Sequence, residues 1–89
     1  MEKIKNTKTK SINKTIVVYR TKTCPYCHLA EAFLKENNIK FTSIDVGEDQ
    51  KAAQEMIKKS GQMGVPVIDI DGKIIVGFDK GAIKKALNL

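Results

Sequence analysis

The apolar residues of this chain fall into short blocks whose spacing alternates between strand and helix patterns. Runs of β-branched or alternating apolar residues predict strands over residues 15–20, 40–46, 67–70 and 74–76. Apolar residues that recur at intervals of three and four predict helices over residues 25–38 and 48–60, and a last helix after Asp79. The predicted elements therefore follow the order β-α-β-α-β-β-α.

Each predicted helix carries one apolar stripe that we expect to face the core. Gly61 is suited to end the second helix, and Asp79 is suited to cap the third. The inner positions are Leu29, Ala30, Phe33 and Leu34 in the first helix, Ala52, Ala53, Met56 and Ile57 in the second, and Ala82, Ile83, Ala86 and Leu87 in the third.

The order of the elements restricts how the strands can pair. A β-α-β unit at the start requires a parallel pair joined by a right-handed crossover. Asp71-Gly72 is a strong signal for a two-residue hairpin turn, so we expect the last two strands to pair antiparallel. The predicted fold is therefore α/β, with a four-stranded mixed sheet and helices on its faces.

Charge is unevenly distributed along the 89 residues, a length that suffices for one domain. Residues 1–14 contain five lysines and one glutamate, and so carry +4 of the net charge of +6. We interpret them as a solvated, poorly ordered basic tail, and residues 15–89 as the folded domain. Because the tail has no aromatic residue for base stacking, nucleic acid is not favoured as a partner.

The chain shows no signal for a membrane or for export. No apolar run approaches the roughly 18 residues that span a membrane, and the basic start is not followed by the apolar segment of a secretory signal. We therefore expect a cytoplasmic protein without membrane association. Thiols are kept reduced in that compartment, so a close pair of cysteines indicates catalysis or metal binding rather than a structural disulfide.

The candidate chemistry centres on Cys24-Pro25-Tyr26-Cys27, where the first strand ends and the first helix begins. The free N–H groups and the dipole of a helix start favour an anion, and the thiolate is the reactive form of cysteine. Lys22, with help from Arg20, adds positive charge nearby. Cys27 lies one helical turn further on and should be less exposed. This arrangement suits attack by Cys24 on a substrate disulfide, followed by attack of Cys27 on Cys24.

Three other interpretations use the same residues. Cys24 to His28 also spells C-x-x-C-H, the attachment signature of c-type haem, but this small chain offers little room for a haem pocket. A closed zinc site takes four ligands, and Cys24, Cys27 and His28 are the only cysteines and histidine, so zinc would need a site shared between chains. Inert packing of both cysteines is also not favoured, because they stand where a strand passes into a helix. We expect His28 to be an exposed helix residue without a catalytic role.

Gly64-Val65-Pro66 is the second informative feature. Proline is excluded from the inside of a central strand, but it can begin one. The bond before it either is trans and simply opens the strand, or is cis and places backbone groups beside the cysteines, where an extended substrate could pair with them. The pattern alone does not choose between these two arrangements.

Four motifs resemble the glutaredoxin family over about residues 15–88. They are T-C-P-Y-C at residues 23–27, G-V-P at 64–66, the D-G hairpin at 71–72 and G-F-D at 77–79. The run C-P-Y-C is that of the dithiol glutaredoxins. Within the family, residues 60–68 and 74–79 are most similar to the bacterial glutaredoxin-like YruB group.

The resemblance implies a thioredoxin fold and a dithiol oxidoreductase that reduces protein disulfides or glutathione mixed disulfides. It implies that Cys24 is the nucleophile, that Cys27 is the resolving thiol and that Pro66 is cis. Glutathione is then a co-substrate, and no bound cofactor or metal is expected. The residues that would bind the substrate or glutathione are Lys22, Tyr26, Val65, Pro66, Phe78 and Asp79.

Departures from the family pattern favour an alternative. Thr21 stands where many glutaredoxins have lysine, Val76-Gly77 replaces a Gly-Gly pair, and Lys80 replaces an acid. Phe78 resembles the NrdH redoxins, electron carriers that are served by thioredoxin reductase and donate to ribonucleotide reductase or a peroxidase. Lys22 and Lys80 could still bind the two carboxylates of glutathione, so both electron sources stay open. We expect a monomer, since the domain is compact. By resemblance, Pro25 in the motif argues against an iron–sulfur-bridged dimer.

Overall fold

A computed structural model describes residues 15–89, and this part of the chain contains the seven predicted elements in the predicted order. The basic tail predicted over residues 1–14 lies outside the described residues. The strands are β1 (Ile16–Arg20), β2 (Thr42–Asp45), β3 (Val67–Ile70) and β4 (Lys73–Val76), and the helices are α1 (Pro25–Glu36), α2 (Gln50–Ser60) and α3 (Lys80–Leu87).

The four strands form one mixed sheet in the order β2-β1-β3-β4, which confirms the predicted architecture. Strand β1 pairs parallel with β2 and antiparallel with β3, with Val18 opposite Ile68. Strands β3 and β4 pair antiparallel through a hairpin whose turn residues, Asp71 and Gly72, have positive φ angles of 51° and 96°. Turns of this kind match the right-handed twist of the strands they join.

Helices cover both faces of the sheet. On one face α1 and α3 pack on alternate residues of β1 and β3, and the cluster includes Val18, Phe33, Ile68 and Ile83. On the other face α2 packs through Ala52 and Met56 onto Tyr19 and Val67 in a smaller cluster. Within residues 15–89, no helix is long and apolar enough to cross a membrane.

Two predicted core positions are wrong. Leu29 is 49% exposed and Ile57 is 39% exposed, because each lies at the edge of its helical stripe rather than at its centre. In α1 the centre of the stripe is formed by Cys27, Ala30 and Leu34, all of which are fully buried. Ala30 and Leu34 lie three and seven residues after Cys27, so the Cys27 sulfur lies on the same helix face, which packs against the sheet.

The ends of the helices follow from their caps. Helix α1 stops two residues earlier than predicted, where the Asn37 side chain donates to the Phe33 carbonyl and Asn38 takes a positive φ of 59°. Helix α2 begins at Gln50 rather than at residue 48, because the Asp49 side chain accepts from the Ala52 N–H and caps the first turn. Gly61, with φ of 75°, ends α2 as predicted.

Candidate active site

Cys24 is the N-cap of α1 and ends the short loop that follows β1. Its backbone is extended, and its carbonyl accepts from the N–H groups of Cys27 and His28 at 3.1 and 3.2 Å. Its sulfur lies 3.2 Å from the Cys27 N–H, which donates to it. Pro25 occupies the first turn, where a missing N–H costs nothing. The helix start therefore points one N–H donor and its dipole at the Cys24 sulfur.

Cys27 has a different environment from Cys24, although both are free thiols. The Cys27 side chain is 0% exposed, whereas Cys24 is partly accessible. Burial, and then the hydrogen bond with Cys24, raise the pKa of the Cys27 thiol to about 12, while the Thr21 backbone and the charge of Arg20 oppose this shift. One thiol of the pair is therefore open to a substrate, and the other is held neutral beneath it.

Arg20 lies in a group of polar side chains beside the cysteines. Its Nε is 3.2 Å from Glu31 Oε2, and its Nη1 is 4.0 Å from Asp45 Oδ2. Glu31 also accepts a hydrogen bond of 2.6 Å from the Ser43 hydroxyl. Arg20 is predicted to add positive charge near Cys24, and in the structure its charge also acts on the buried Cys27.

The Val65–Pro66 bond is cis, as the family resemblance implies. The Cys24 thiol lies 3.8 Å from the Val65 carbonyl oxygen, within reach of an S–H···O contact. The Pro66 carbonyl accepts from the Gly77 N–H at 2.7 Å, and this bond ties the turn after β4 to the cis proline. The structure thus brings the cis-proline motif to Cys24 and ties the turn after β4 to that motif.

The turn that follows Gly77 carries the remaining predicted site residues. Phe78 packs edge-on against Phe33 with 6.1 Å between ring centroids, and Asp79 caps α3 by accepting from the Ala82 N–H at 3.1 Å. The Lys80 ammonium lies 5.5 Å from the centroid of Phe33. This turn therefore presents a ring, a carboxylate and a cation close together.

Two further predicted residues flank the cysteines. Tyr26 is 64% exposed, so its ring is available to a partner. The Lys22 ammonium, however, lies 3.2 Å from the Glu48 carboxylate in an exposed ion pair, and the Lys22 carbonyl contacts Nε2 of His28 at 2.9 Å. His28 is exposed, as expected. Its contact with the Lys22 carbonyl could not be predicted from the sequence, where the two residues are merely six positions apart. Among the described residues, no group of three or more His, Cys, Asp or Glu side chains could hold a metal ion.

Three features of this structure are typical of the thiol–disulfide redox proteins of the thioredoxin fold. They are the mixed four-stranded sheet, the C-x-x-C pair at the start of the first helix, and the cis proline that faces this pair. Similar proteins agree with this class. The crystal structure of a mutant of a thioredoxin-like protein superposes with a TM-score of 0.79 at 31% identity, over 83% of this chain and 95% of the other.

Sequence comparison identifies the family within this class. Residues 16–75 match the family model described as Glutaredoxin. A glutaredoxin-like 8.6 kDa protein in the rubredoxin operon of Clostridium pasteurianum is 49% identical over 72 residues, which are 81% of this chain and 96% of that protein. Glutaredoxin 3 of Escherichia coli K12 is 39% identical over 64 residues, which are 72% of this chain and 77% of that protein. The chain belongs to the glutaredoxin family and is a glutaredoxin-like thiol redox protein.

Proposed function

We propose that this protein is a dithiol oxidoreductase that reduces protein disulfides or glutathione mixed disulfides, with Cys24 as the nucleophile and Cys27 as the resolving thiol. The observation that carries the proposal is the difference between the two sulfurs. Cys24 is accessible, receives the Cys27 N–H at 3.2 Å and contacts the Val65 carbonyl, whereas Cys27 is fully buried. Sequential exchange needs an exposed attacking thiol and a protected second thiol within reach of it.

The exchange proceeds in two displacements. The Cys24 thiolate attacks one sulfur of the substrate disulfide, so that a mixed disulfide forms and the other substrate sulfur leaves as a thiolate and takes up a proton. Cys27 then loses its proton and attacks the Cys24 sulfur. The Cys24–Cys27 disulfide forms, the second substrate thiol is released, and two electrons have passed to the substrate. A thiol such as glutathione, or a reductase, returns the pair to the dithiol state.

Substrate binding is assigned to the groups that surround Cys24. The Val65 carbonyl faces the Cys24 sulfur, and a short extended segment could pair with the backbone of Val65. Tyr26 and Pro66 would border that segment, and the turn at Phe78 and Asp79 would bind its charged end through the N–H groups of the α3 start. Lys22 adds positive charge when it leaves Glu48. We place this activity in the cytoplasm, where glutathione and reductases keep thiols reduced.

A second candidate is an NrdH-like electron carrier that takes its electrons from thioredoxin reductase and donates to ribonucleotide reductase or a peroxidase. The observation that favours it is Lys80, whose ammonium lies over the Phe33 ring beside Phe78. Lys80 replaces an acid of the family pattern, so this turn lacks the second carboxylate that could pair with the ammonium group of the γ-glutamyl end of glutathione. The cysteine chemistry is the same in both candidates, and only the electron source differs.

The test is turnover of a glutathione mixed disulfide by the full chain, with reduced glutathione and glutathione reductase as the electron source. We expect activity in the wild type, its complete loss in Cys24→Ser, and accumulation of a covalent complex with a protein disulfide in Cys27→Ser. A Gln54→Ala variant, at an exposed position of α2, controls for general effects of substitution. Wild-type inactivity, together with reduction of its disulfide by thioredoxin reductase, would favour the carrier. Full activity of Cys24→Ser would refute the mechanism.

A further inference from the structure

In the loop between α2 and β3, the side chain of Gln62 hydrogen-bonds to the backbone of Gly64. Its Oε1 accepts from the Gly64 N–H at 2.7 Å, and its Nε2 donates to the Gly64 carbonyl at 3.1 Å. Both backbone groups of Gly64 are therefore bonded to one side-chain amide. Because a carbonyl only accepts and an N–H only donates, this pairing also determines which way the Gln62 amide points.

The same side chain connects the loop to the end of α2. The second N–H of Gln62 Nε2 donates to the Ser60 hydroxyl at 3.2 Å, so both amide hydrogens are used. The Ser60 oxygen in turn lies 2.8 Å from the Met56 carbonyl in the body of the helix. A continuous chain of hydrogen bonds therefore runs from α2 to the residue that precedes Val65.

The two hydrogen bonds between Gln62 and Gly64 require that Gly64 has no side chain. A Cβ at this position would lie 2.8 Å from Gln62 Oε1, closer than a carbon and an oxygen can approach. Both backbone groups of Gly64 are hydrogen-bonded to Gln62. The next residue is Val65, whose carbonyl faces the Cys24 sulfur. Met63, at the tip of the loop, is directed outward and is 75% exposed.

We propose that Gln62 is a positioning residue for substrate binding, which holds the backbone of Val65 in place to pair with the segment that carries the substrate disulfide. This inference rests on the proposed function, because it assumes that Val65 receives the substrate. A loop that is ordered before binding does not lose conformational freedom when the substrate arrives, so its affinity for the substrate is higher. The hydrogen bonds of the Gln62 side chain go to Ser60 and Gly64 and not to either cysteine, so we expect it to act on binding and not on the sulfur chemistry.

The experiment compares Gln62→Ala with Gln54→Ala, a matched change at an exposed glutamine of α2, in the full chain. We expect Gln62→Ala to raise KM for a glutathione mixed disulfide roughly three- to tenfold, the usual effect of one or two lost hydrogen bonds. The turnover number, and the rate at which iodoacetamide alkylates Cys24, should stay within twofold of the wild type. If Gln62→Ala only damaged the structure, it would lower the unfolding midpoint, and it would not raise KM while leaving kcat unchanged.

Gly64→Ala is the second variant, and it disturbs the same pair of hydrogen bonds at the backbone partner of Gln62. Its Cβ displaces the Gln62 amide, so KM should rise as in Gln62→Ala, and the double variant should be no worse than the worse single variant. An unchanged KM in both single variants of an active enzyme would overturn the inference and leave the proposed function standing. Slower alkylation of Cys24 in Gln62→Ala would also overturn it. A wild type that turns over no disulfide would instead refute the proposed function, and this inference with it.

Discussion

At the scale of single residues, the two cysteines differ through their position on one helix. Cys24 precedes the first turn of α1 and stays accessible, while Cys27 falls on the stripe with Ala30 and Leu34 and is fully buried. Burial is the largest cause of the raised pKa of Cys27, and the hydrogen bond with Cys24 is the next. In the described structure the Cys27 thiol is therefore held neutral, while Cys24 is partly accessible.

The first prediction concerns the reactivity of the two thiols. Iodoacetamide should modify one thiol of the native protein between pH 7 and 10 and both thiols after unfolding, as counted by mass spectrometry. With a pKa of about 12 for Cys27, only about one molecule in a hundred carries its thiolate at pH 10. Peptide mapping should place the native modification on Cys24. Equal labelling of both thiols in the folded protein at pH 8 would contradict this account.

At the scale of elements, two aspartates perform the same structural task at different places. Asp49 accepts from the Ala52 N–H at 3.0 Å at the start of α2, and Asp79 accepts from the Ala82 N–H at 3.1 Å at the start of α3. Each satisfies an N–H that has no partner within its helix. Only Asp79 belongs to the turn that is tied to the cis proline. A comparison of the two aspartates therefore separates the effect of losing a helix cap from the substrate-binding role proposed for Asp79.

We predict that Asp49→Ala and Asp79→Ala each lower the free energy of unfolding by about 1 kcal/mol, the usual cost of removing an N-cap. Urea unfolding followed by circular dichroism measures this change. Only Asp79→Ala should also raise KM for a glutathione mixed disulfide, because it disturbs the N–H groups proposed to bind the charged end of the substrate. Asp79→Asn keeps the cap, and it shows how much of the KM effect is due to charge. A KM effect of equal size in Asp49→Ala would remove the binding role from Asp79.

The elements themselves could be predicted from local signals, and the side-chain network of the site could not. The β-branched run before Cys24, the Asp71-Gly72 turn and Gly61 each act within a few residues, so their effects are visible in the sequence. Leu29 and Ile57 were misplaced because helical periodicity defines a stripe but not its exact edge. The Gln62 bonds depend on how the loop folds back, and the ion pair of Arg20 with Glu31 joins residues eleven positions apart in the sequence. Neither contact produces a regular spacing of residues in the sequence from which it could be predicted.

At the scale of the whole molecule, the two faces of the sheet are packed unequally. The α1 and α3 face has the larger apolar cluster, and the α2 face has the smaller one. On the α2 face a polar contact adds to the packing: the Lys59 ammonium lies 2.8 Å from Asp69 Oδ2 and 2.8 Å from the Tyr19 hydroxyl. The hydrogen bond with Asp69, and then that with Tyr19, raise the pKa of Lys59 above its usual value, against the opposing effect of burial. This contact joins α2 to β1 and β3.

The attachment of α2 should therefore depend on Lys59 in a way that pH reveals. Lys59→Met should lower the free energy of unfolding by roughly 0.5–1.5 kcal/mol at neutral pH, whereas Lys58→Met, one residue earlier on the same helix, should change it by less. Because folding raises the pKa of Lys59 above its unfolded value of 10.5, the stabilisation is complete below that pH and is lost as the pH rises through the folded value. Urea unfolding of both variants should show a constant gap between wild type and Lys59→Met from pH 6 to 9, which narrows above about pH 10.5. A gap that persists unchanged at higher pH would contradict a contribution from the charge of Lys59.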